Sequence, residues 1–234
     1  MKELVVVTGG TKGIGRSIIH LFASKGYEIA TCARDKSALE ELYTELKDKY
    51  GIHLQWKAID ISDQEQSKKF ANMINELGVP VAVLVNNAGV FVPGKIHNEE
   101  EGMLEKMIKT NVYSAYHITR AILPGMITYK KGHVFNMCST ASIMPYINGG
   151  SYCISKYAML GMTKVLREEM KGHNIKVTAI MPGATFTASW EGVDLPEDRF
   201  MPADDVAKAV YNAFTMSDST VVEEIVMRPQ LGDI

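Results

Sequence analysis

The chain has 234 residues, of which 46% are hydrophobic and 22% are charged. This length and composition exclude a disordered chain and predict one globular α/β domain spanning residues 1–234, with an ample hydrophobic core. The formal net charge of -2 and the pI near 6.3 give no general attraction to nucleic acid or to an anionic membrane. We therefore expect small-molecule partners and neither nucleic acid nor membrane as a partner.

Cysteine usage and the N-terminus indicate the cellular setting. The chain has three cysteines, Cys32, Cys138 and Cys153, with no C-x-x-C spacing and one left over, so we expect neither a disulfide framework nor a metal site. The apolar run at 4–7 is too short for a signal peptide or a membrane span. A reducing cytosol is the simplest setting, and a cytoplasmic protein is predicted.

The first motif is an apolar run followed by a glycine-rich turn. Residues 4–7, Leu-Val-Val-Val, predict a strand buried in a parallel sheet, and Gly9, Gly13 and Gly15 follow it before a helical pattern that ends at Gly26. Glycines let backbone N–H groups approach a phosphate, and the helix N-terminus adds partial positive charge. The turn predicts a pyrophosphate site, although any tight strand-to-helix turn also favours glycine.

The second predicted strand, 28–33, ends at Arg34. A dinucleotide-binding fold places the residue that meets the adenosine ribose at this point. No acidic residue precedes Arg34 here, and Arg34 with Lys12 would attract a 2′-phosphate. The pattern favours NADP(H) over NAD. The alternative is an arginine paired with Asp35 and a solvated Lys12.

Strands and helices alternate along the whole chain. This order predicts a parallel, right-handed, doubly wound sheet of about seven strands with helices on both faces. The predicted strands are 4–7, 28–33, 53–59, 81–85, 133–138, 176–181 and 220–227, and the later predicted helices are 36–50, 64–77, 100–129, a helix from 151, and 203–215.

Ligands of such sheets bind at the carboxyl ends of the strands. The glycine turn and Arg34 fall at that edge, as do Asp60 and the Asn86–Gly89 segment, Asn-Asn-Ala-Gly. Taken singly, Asp60 resembles an ordinary turn or capping residue. Their shared location favours a binding role, with Asp60 accepting from the adenine amine.

Asn111 is an unusual residue for the interior of the predicted helix 100–129, in which a kink is expected at Pro124 and Gly125. Asparagine is a poor helix former. Its position predicts either a satisfied buried amide or a functional kink with water inserted into the helical ladder.

Tyr152 and Lys156 are four residues apart in the helix predicted after Gly150. Their polar tips therefore meet on one face, and a neighbouring ammonium favours the ionised form of a phenol, which suits proton transfer. Tyr43 and Lys47 have the same spacing in an amphipathic helix, so spacing alone does not separate a catalytic pair from a solvated one.

Several motifs together resemble the short-chain dehydrogenase/reductase family in order and spacing. They are Thr8–Gly15 (Thr-Gly-Gly-Thr-Lys-Gly-Ile-Gly), Asn86–Gly89, Asn111, Ser139, Tyr152-x-x-x-Lys156 and Pro182-Gly183. The resemblance covers nearly the whole chain and places Tyr43 and Lys47 in the wrong helix. It implies a single-domain Rossmann-type fold and hydride transfer between NADP(H) and a carbonyl or alcohol carbon.

The resemblance also implies roles for individual residues. Tyr152 would be the general acid in reduction, Lys156 would stabilise its ionised form and bind the nicotinamide ribose, Ser139 would hold the substrate oxygen, and Asn111 would order a water that links Lys156 to solvent. Thr187 would contact the nicotinamide carboxamide. The implied cofactor-binding residues are Gly9, Thr11, Lys12, Gly13, Ile14, Gly15, Arg34, Asp60, Ile61, Asn87, Ala88, Gly89, Tyr152, Lys156, Pro182, Gly183, Thr185 and Thr187.

We expect an NADPH-dependent carbonyl reductase or alcohol dehydrogenase acting on a small carbonyl or hydroxy compound. The alternatives are a 3-oxoacyl-carrier-protein reductase and a non-catalytic NADP-binding sensor. The strand leading into Gly-Gly that usually ends the carrier-protein reductases is missing here, and the tail at 221–230 looks more like the sepiapterin-reductase-like and hydroxy-acid-dehydrogenase-like branches.

Substrate choice is assigned to the 143–150 segment and a substrate loop at about 184–201. Met144, Tyr146, Phe186 and Trp190 predict an apolar or aromatic-friendly pocket there, or equally core or subunit packing. The family habit implies a homodimer through the two long helices, or a homotetramer.

Overall fold

The computed structural model describes residues 3–187 and 195–234. These residues contain a seven-stranded parallel sheet with the strand order β3-β2-β1-β4-β5-β6-β7. The predicted doubly wound α/β fold is therefore confirmed. The strands are β1 (Leu4–Thr8), β2 (Glu28–Ala33), β3 (Gln55–Ala58), β4 (Val81–Asn86), β5 (Gly132–Met137), β6 (Ile175–Pro182) and β7 (Glu224–Met227).

Helices cover both faces of the sheet. They are α1 (Gly13–Ser24), α2 (Lys36–Tyr50), α3 (Gln64–Glu76), α4 (Met103–Ile108), α5 (Ser114–Tyr129), α6 (Gly150–Met170) and α7 (Ala203–Phe214). Within residues 3–187 and 195–234, no helix combines the length and the apolar character that a membrane crossing needs.

The alternation of side chains along β1 explains the two layers. Val5 and Val7 point to a core shared with α1, α2 and α7, whereas Leu4 and Val6 point to a second core shared with α3, α5 and α6. Because successive residues of a strand face opposite sides, a continuous apolar run is buried by helices on both faces.

The two edge strands are shorter than predicted. β3 begins at Gln55 rather than 53, where its pairing with β2 starts. β7 begins at Glu224 rather than 220, because the N–H of Thr220 closes a turn on the carbonyl of Ser217 at 3.0 Å. An edge strand has one neighbour, so its apolar pattern marks its ends less sharply than that of a central strand.

The predicted helix 100–129 is interrupted at Asn111. α4 begins at Met103, after Gly102 with φ of 82°, and a π-helical segment, Lys109–Tyr113, separates it from α5. Pro124 and Gly125, where a kink was predicted, lie inside α5. Asn111 in this irregular turn is hydrogen-bonded to Val90, four residues after β4 ends, so the turn lies near the carboxyl edge of the sheet. π-helical turns of this kind are frequent at functional sites.

Candidate active site

A cleft of about 1160 Å³ lies at the carboxyl ends of the strands. Segments that follow β1 to β6 form its walls, together with the first two turns of α6. Of the predicted catalytic and cofactor-binding residues, all but Gly15 and Asn111 line it. Those lining residues are Gly9, Thr11, Lys12, Gly13, Ile14, Arg34, Asp60, Ile61, Asn87, Ala88, Gly89, Ser139, Tyr152, Lys156, Pro182, Gly183, Thr185 and Thr187.

The glycine turn has the backbone that its sequence predicts. Gly9 and Gly13 have φ of 69° and 51°, in the left-handed region that favours glycine. Gly15 plays a packing role instead of lining the cleft, because a Cβ there would overlap the carbonyl oxygen of Gly9. Lys12 is the N-cap of α1 and makes no side-chain cap, so the N–H groups of the first helical turn remain available to an anion.

Asn87 joins the glycine turn to the end of β4. Its amide nitrogen donates to the carbonyl oxygens of Thr8 and Gly9 at 2.9 and 3.1 Å. In return, the backbone N–H groups of Asn87 and Ala88 both donate to the Thr8 hydroxyl at 3.0 Å. The two segments therefore form one rigid wall of the cleft.

Arg34 and Lys12 give the β2 end of the cleft two exposed cationic side chains. The alternative partner, Asp35, caps α2: it accepts from the Ser37 hydroxyl at 2.7 Å and from the N–H of Ala38 at 3.2 Å. These hydrogen bonds, that of Ser37 first, lower the pKa of Asp35. Asp35 therefore caps α2 through one carboxylate oxygen and lines the cleft beside Arg34.

Asp60 forms the turn that the sequence also allowed. One carboxylate oxygen accepts from the N–H of Ser62 at 2.9 Å and from its hydroxyl at 2.7 Å. Asp60 and Ile61 nevertheless line the cleft. The turn fixes the Asp60 carboxylate at the cleft wall, where its remaining lone pairs can accept from a ligand.

Tyr152 lies between an aromatic ring and a buried cation. The Lys156 ammonium is 5.7 Å from the centre of the Tyr152 ring and donates to the carbonyl oxygen of Met137 at 2.8 Å. Lys156 is only 7% exposed. Phe91 packs edge-on against Tyr152 with ring centres 4.8 Å apart. Sequence reasoning missed Phe91, which lies just after the Asn-Asn-Ala-Gly segment and has no motif of its own.

Ser139 begins a 3-10 turn, Thr140–Ser142, at the end of β5. Its side-chain oxygen accepts from the N–H of Ala141 at 3.1 Å. Since the hydroxyl acts as an acceptor in this bond, its proton remains able to donate to a ligand oxygen. Ser139 and Tyr152 thus present two hydroxyl groups to the same cleft.

Asn111 supports the cleft from behind. Its side chain accepts from the N–H of Val90 at 2.8 Å, donates to the carbonyl of Val90 at 3.0 Å, and donates to the Ser155 hydroxyl at 2.9 Å. The residue is 1% exposed, so the structure shows a satisfied buried amide, and it shows this amide within an irregular π-helical turn. Asn111 also lies next to Gly89, where a Cβ would be 3.2 Å from its oxygen and 3.7 Å from the Lys156 ammonium.

The second tyrosine–lysine pair lies elsewhere. Tyr43 and Lys47 are on α2, and the Tyr43 hydroxyl contacts His53 at 3.3 Å. Neither residue lines the cleft. The structure therefore separates the two pairs as the surrounding motifs predicted.

The predicted substrate residues divide into three groups. Met144 and Tyr146 line the cleft, whereas Phe186 packs on Phe200 with ring centres 5.7 Å apart. Trp190 lies outside the described residues. The cleft also includes residues for which the sequence offers no signal, because they follow no motif; these are Lys106, Thr110, Asp233 and Ile234.

Comparison with known proteins agrees with this geometry. Residues 3–197 match the family model described as short chain dehydrogenase. The sepiapterin reductase of Chlorobaculum tepidum is 30% identical over 242 residues, which cover 100% of this chain and 99% of that protein. The NADP-dependent 3-hydroxy acid dehydrogenase of Escherichia coli K12 is 30% identical over 224 residues, which cover 95% of this chain and 87% of that protein.

A solved structure shows the same likeness. A metagenomic short-chain oxidoreductase in complex with NADP superposes with a TM-score of 0.85 at 29% identity, covering 97% of each chain. The family model spans most of the chain, and the cleft holds the glycine turn, the Asn-Asn-Ala-Gly wall and the Tyr152–Lys156 pair together. The chain belongs to the short-chain dehydrogenase family.

Proposed function

We propose that this protein, an NADP-dependent oxidoreductase, is an NADPH-dependent reductase of small carbonyl compounds and catalyses the reverse alcohol oxidation. One observation carries the proposal: the Tyr152 phenol lies beside the buried Lys156 ammonium in the same cleft as the glycine turn. A phenol beside a fixed cation is suited to proton transfer, because the cation stabilises the phenolate that forms when the proton leaves. The sepiapterin reductase and 3-hydroxy acid dehydrogenase relatives support an oxygen-bearing carbon as the reacting centre.

The residues of the cleft fit NADP(H). The positive-φ glycines and the N-terminus of α1 suit a pyrophosphate, and Arg34 and Lys12 suit a 2′-phosphate. Asp60 would accept from the adenine amine, and Lys156 would bind the nicotinamide ribose. When bound, the nicotinamide supplies the hydride chemistry.

The side chains supply orientation and the proton. The Ser139 hydroxyl donates a hydrogen bond to the substrate carbonyl oxygen and holds it against Tyr152. The Tyr152 phenol gives its proton to that oxygen as the carbon is reduced, and the Lys156 charge stabilises the phenolate that remains. Asn111 holds the Gly89–Val90 wall against Lys156 and orders the water that returns a proton from solvent.

The direct test is oxidation of NADPH, followed by absorbance, with a panel of aldehydes, diketones, 3-oxo acid esters and pterin side-chain ketones. The proposal predicts turnover with at least one class and little with NADH. Tight NADPH binding without turnover across the panel would contradict it and would favour the non-catalytic sensor.

Two finer expectations belong to the same proposal. Met144 and Tyr146 at the cleft wall, with Phe91 on Tyr152, support a substrate with an apolar or aromatic portion next to its carbonyl group. Exposed tyrosines on α5 and α6, Tyr116 and Tyr157 at 42% and 44%, support pairing of two copies through these helices. Light scattering coupled to size-exclusion chromatography would show a mass of two or four chains.

A further inference from the structure

The N-terminal turn of α6 is capped by a residue from a distant segment. Gly149 stands at the N-cap position and has no side chain to offer. Instead, the N–H of Ser151 donates to one carboxylate oxygen of Glu99 at 2.9 Å, and the Ser151 hydroxyl donates to the other. Glu99 lies 52 residues earlier in the chain, in the segment between β4 and α4.

Two glycines make room for this carboxylate. A Cβ at Gly150 would overlap Glu99 Oε1, and one at Gly94 would lie 2.6 Å from Glu99 Cγ. Backbone contacts hold the same two segments together, since the N–H of Gly94 donates to the carbonyl of Asn148 at 2.9 Å. The space around Glu99 is therefore shaped for its side chain, and a negative charge is stabilising at a helix N-terminus.

The capped turn carries the proposed proton donor. Tyr152 follows Ser151 directly, and Lys156 is one helical turn further on. The next turn on the same helix face is held through Ser155, whose hydroxyl donates to the Tyr152 carbonyl at 2.7 Å and accepts from Asn111. Glu99, through Ser151, and Asn111, through Ser155, thus hold two successive turns of the helix face on either side of Tyr152 in sequence.

We infer that Glu99 is a positioning residue for Tyr152: its carboxylate holds the first turn of α6 in the register that aims the phenol into the cleft. This inference rests on the proposed function. Glu99 does not line the cleft, so it acts through Ser151 and the helix rather than on substrate or cofactor.

The test compares Glu99→Ala with Glu101→Ala, an exposed glutamate of the same segment. Because small misplacements of a catalytic group cost up to about 100-fold, we expect kcat of Glu99→Ala to fall on the order of 10- to 100-fold. The Kd for NADPH should stay within about twofold, equivalent to about 0.4 kcal/mol, because Glu99 does not line the cleft. Glu99→Gln keeps an oxygen for the Ser151 N–H and should restore most of the lost kcat. Equal kcat in Glu99→Ala and Glu101→Ala would overturn the inference.

A second variant, Gly94→Ala, keeps the inference falsifiable if Glu99→Ala folds poorly, because wild-type kcat in Gly94→Ala would contradict positioning through Glu99. Where both variants fold, they form a double-mutant cycle. Gly94→Ala pushes against the Glu99 side chain and should lower kcat in the wild-type background, but it should cost nothing further when Glu99 is already alanine. Additive effects of the two substitutions would contradict positioning through Glu99.

Hydrogen exchange separates failure of this inference from failure of the proposed function. If wild-type protein shows no turnover, the proposed function fails, but the capping claim is still read from peptides covering 150–156. Their amides should exchange faster in Glu99→Ala than in Glu101→Ala, because the first turn frays without its cap. Unchanged exchange would overturn the inference whatever the activity.

Discussion

Replacement of Asn111 by alanine tests whether this buried amide holds the wall of the cleft. The substitution removes both hydrogen bonds to the backbone of Val90, at 2.8 and 3.0 Å, and the one to Ser155. Ser155 keeps its donor bond to the Tyr152 carbonyl, so the main loss is a donor and an acceptor at Val90 left without partners.

Each such orphaned group costs about 1–3 kcal/mol. Val90 is half-buried, which lets water replace part of each bond, so the lower part of that range applies to both groups. We expect Asn111→Ala to lower the free energy of unfolding by about 2–3 kcal/mol. A lower kcat should accompany this loss, because the loosened Gly89–Val90 segment packs against Lys156.

The assay is equilibrium unfolding in urea at fixed protein concentration, with Asn75→Ala as the matched control. Asn75 is exposed and makes one side-chain bond, to the carbonyl of Ala121 at 3.0 Å, so its loss should cost no more than about 1 kcal/mol. Equal destabilisation by the two substitutions would refute the view that Asn111 clamps the cleft.

Two further predictions concern charge. Arg34→Asp should lower the ratio of kcat/KM for NADPH to kcat/KM for NADH at least about tenfold, equivalent to about 1.4 kcal/mol. The control Lys36→Asp, which lies outside the cleft, should leave this ratio unchanged. An unchanged ratio in Arg34→Asp would contradict a role for Arg34 in binding the 2′-phosphate. Burial lowers the pKa of His133 from 6.5 to about 3. As the pH falls below 6.5, His133 is therefore protonated in the unfolded chain but not in the folded chain. The free energy of unfolding consequently decreases as the pH falls from 6.5 towards 3. Between about pH 7.5 and 5.5, the free energy of unfolding should decrease by about 1.4 kcal/mol less in His133→Phe than in the wild type. Identical pH profiles of unfolding for the two proteins would contradict this.

The parts of the fold that sequence reasoning predicted well have local signals. Central strands such as β1 and β4 are continuous apolar runs because helices bury both faces, and the glycine turn follows from the φ angles of Gly9 and Gly13. Edge strand β7 has an exposed, mixed pattern, so its start was predicted four residues early.

The parts that were missed depend on contacts between distant segments. Glu99 meets Ser151 across 52 residues, and Phe91 reaches Tyr152 from the segment after β4. No periodicity or spacing predicts such pairs, because they follow from how the loops fold over the carboxyl edge. Asn111 lies between these cases: its helical position predicted an unusual role, but its partner Val90 required the structure.

Loss of the Tyr152 hydroxyl tests the central claim most directly. With the best substrate of the panel, kcat of Tyr152→Phe should fall at least about 100-fold, the contribution expected of a general acid. Its NADPH Kd should match the wild type, and Tyr43→Phe, in the second tyrosine–lysine pair and outside the cleft, should keep full turnover. Near-wild-type kcat in Tyr152→Phe would contradict the account.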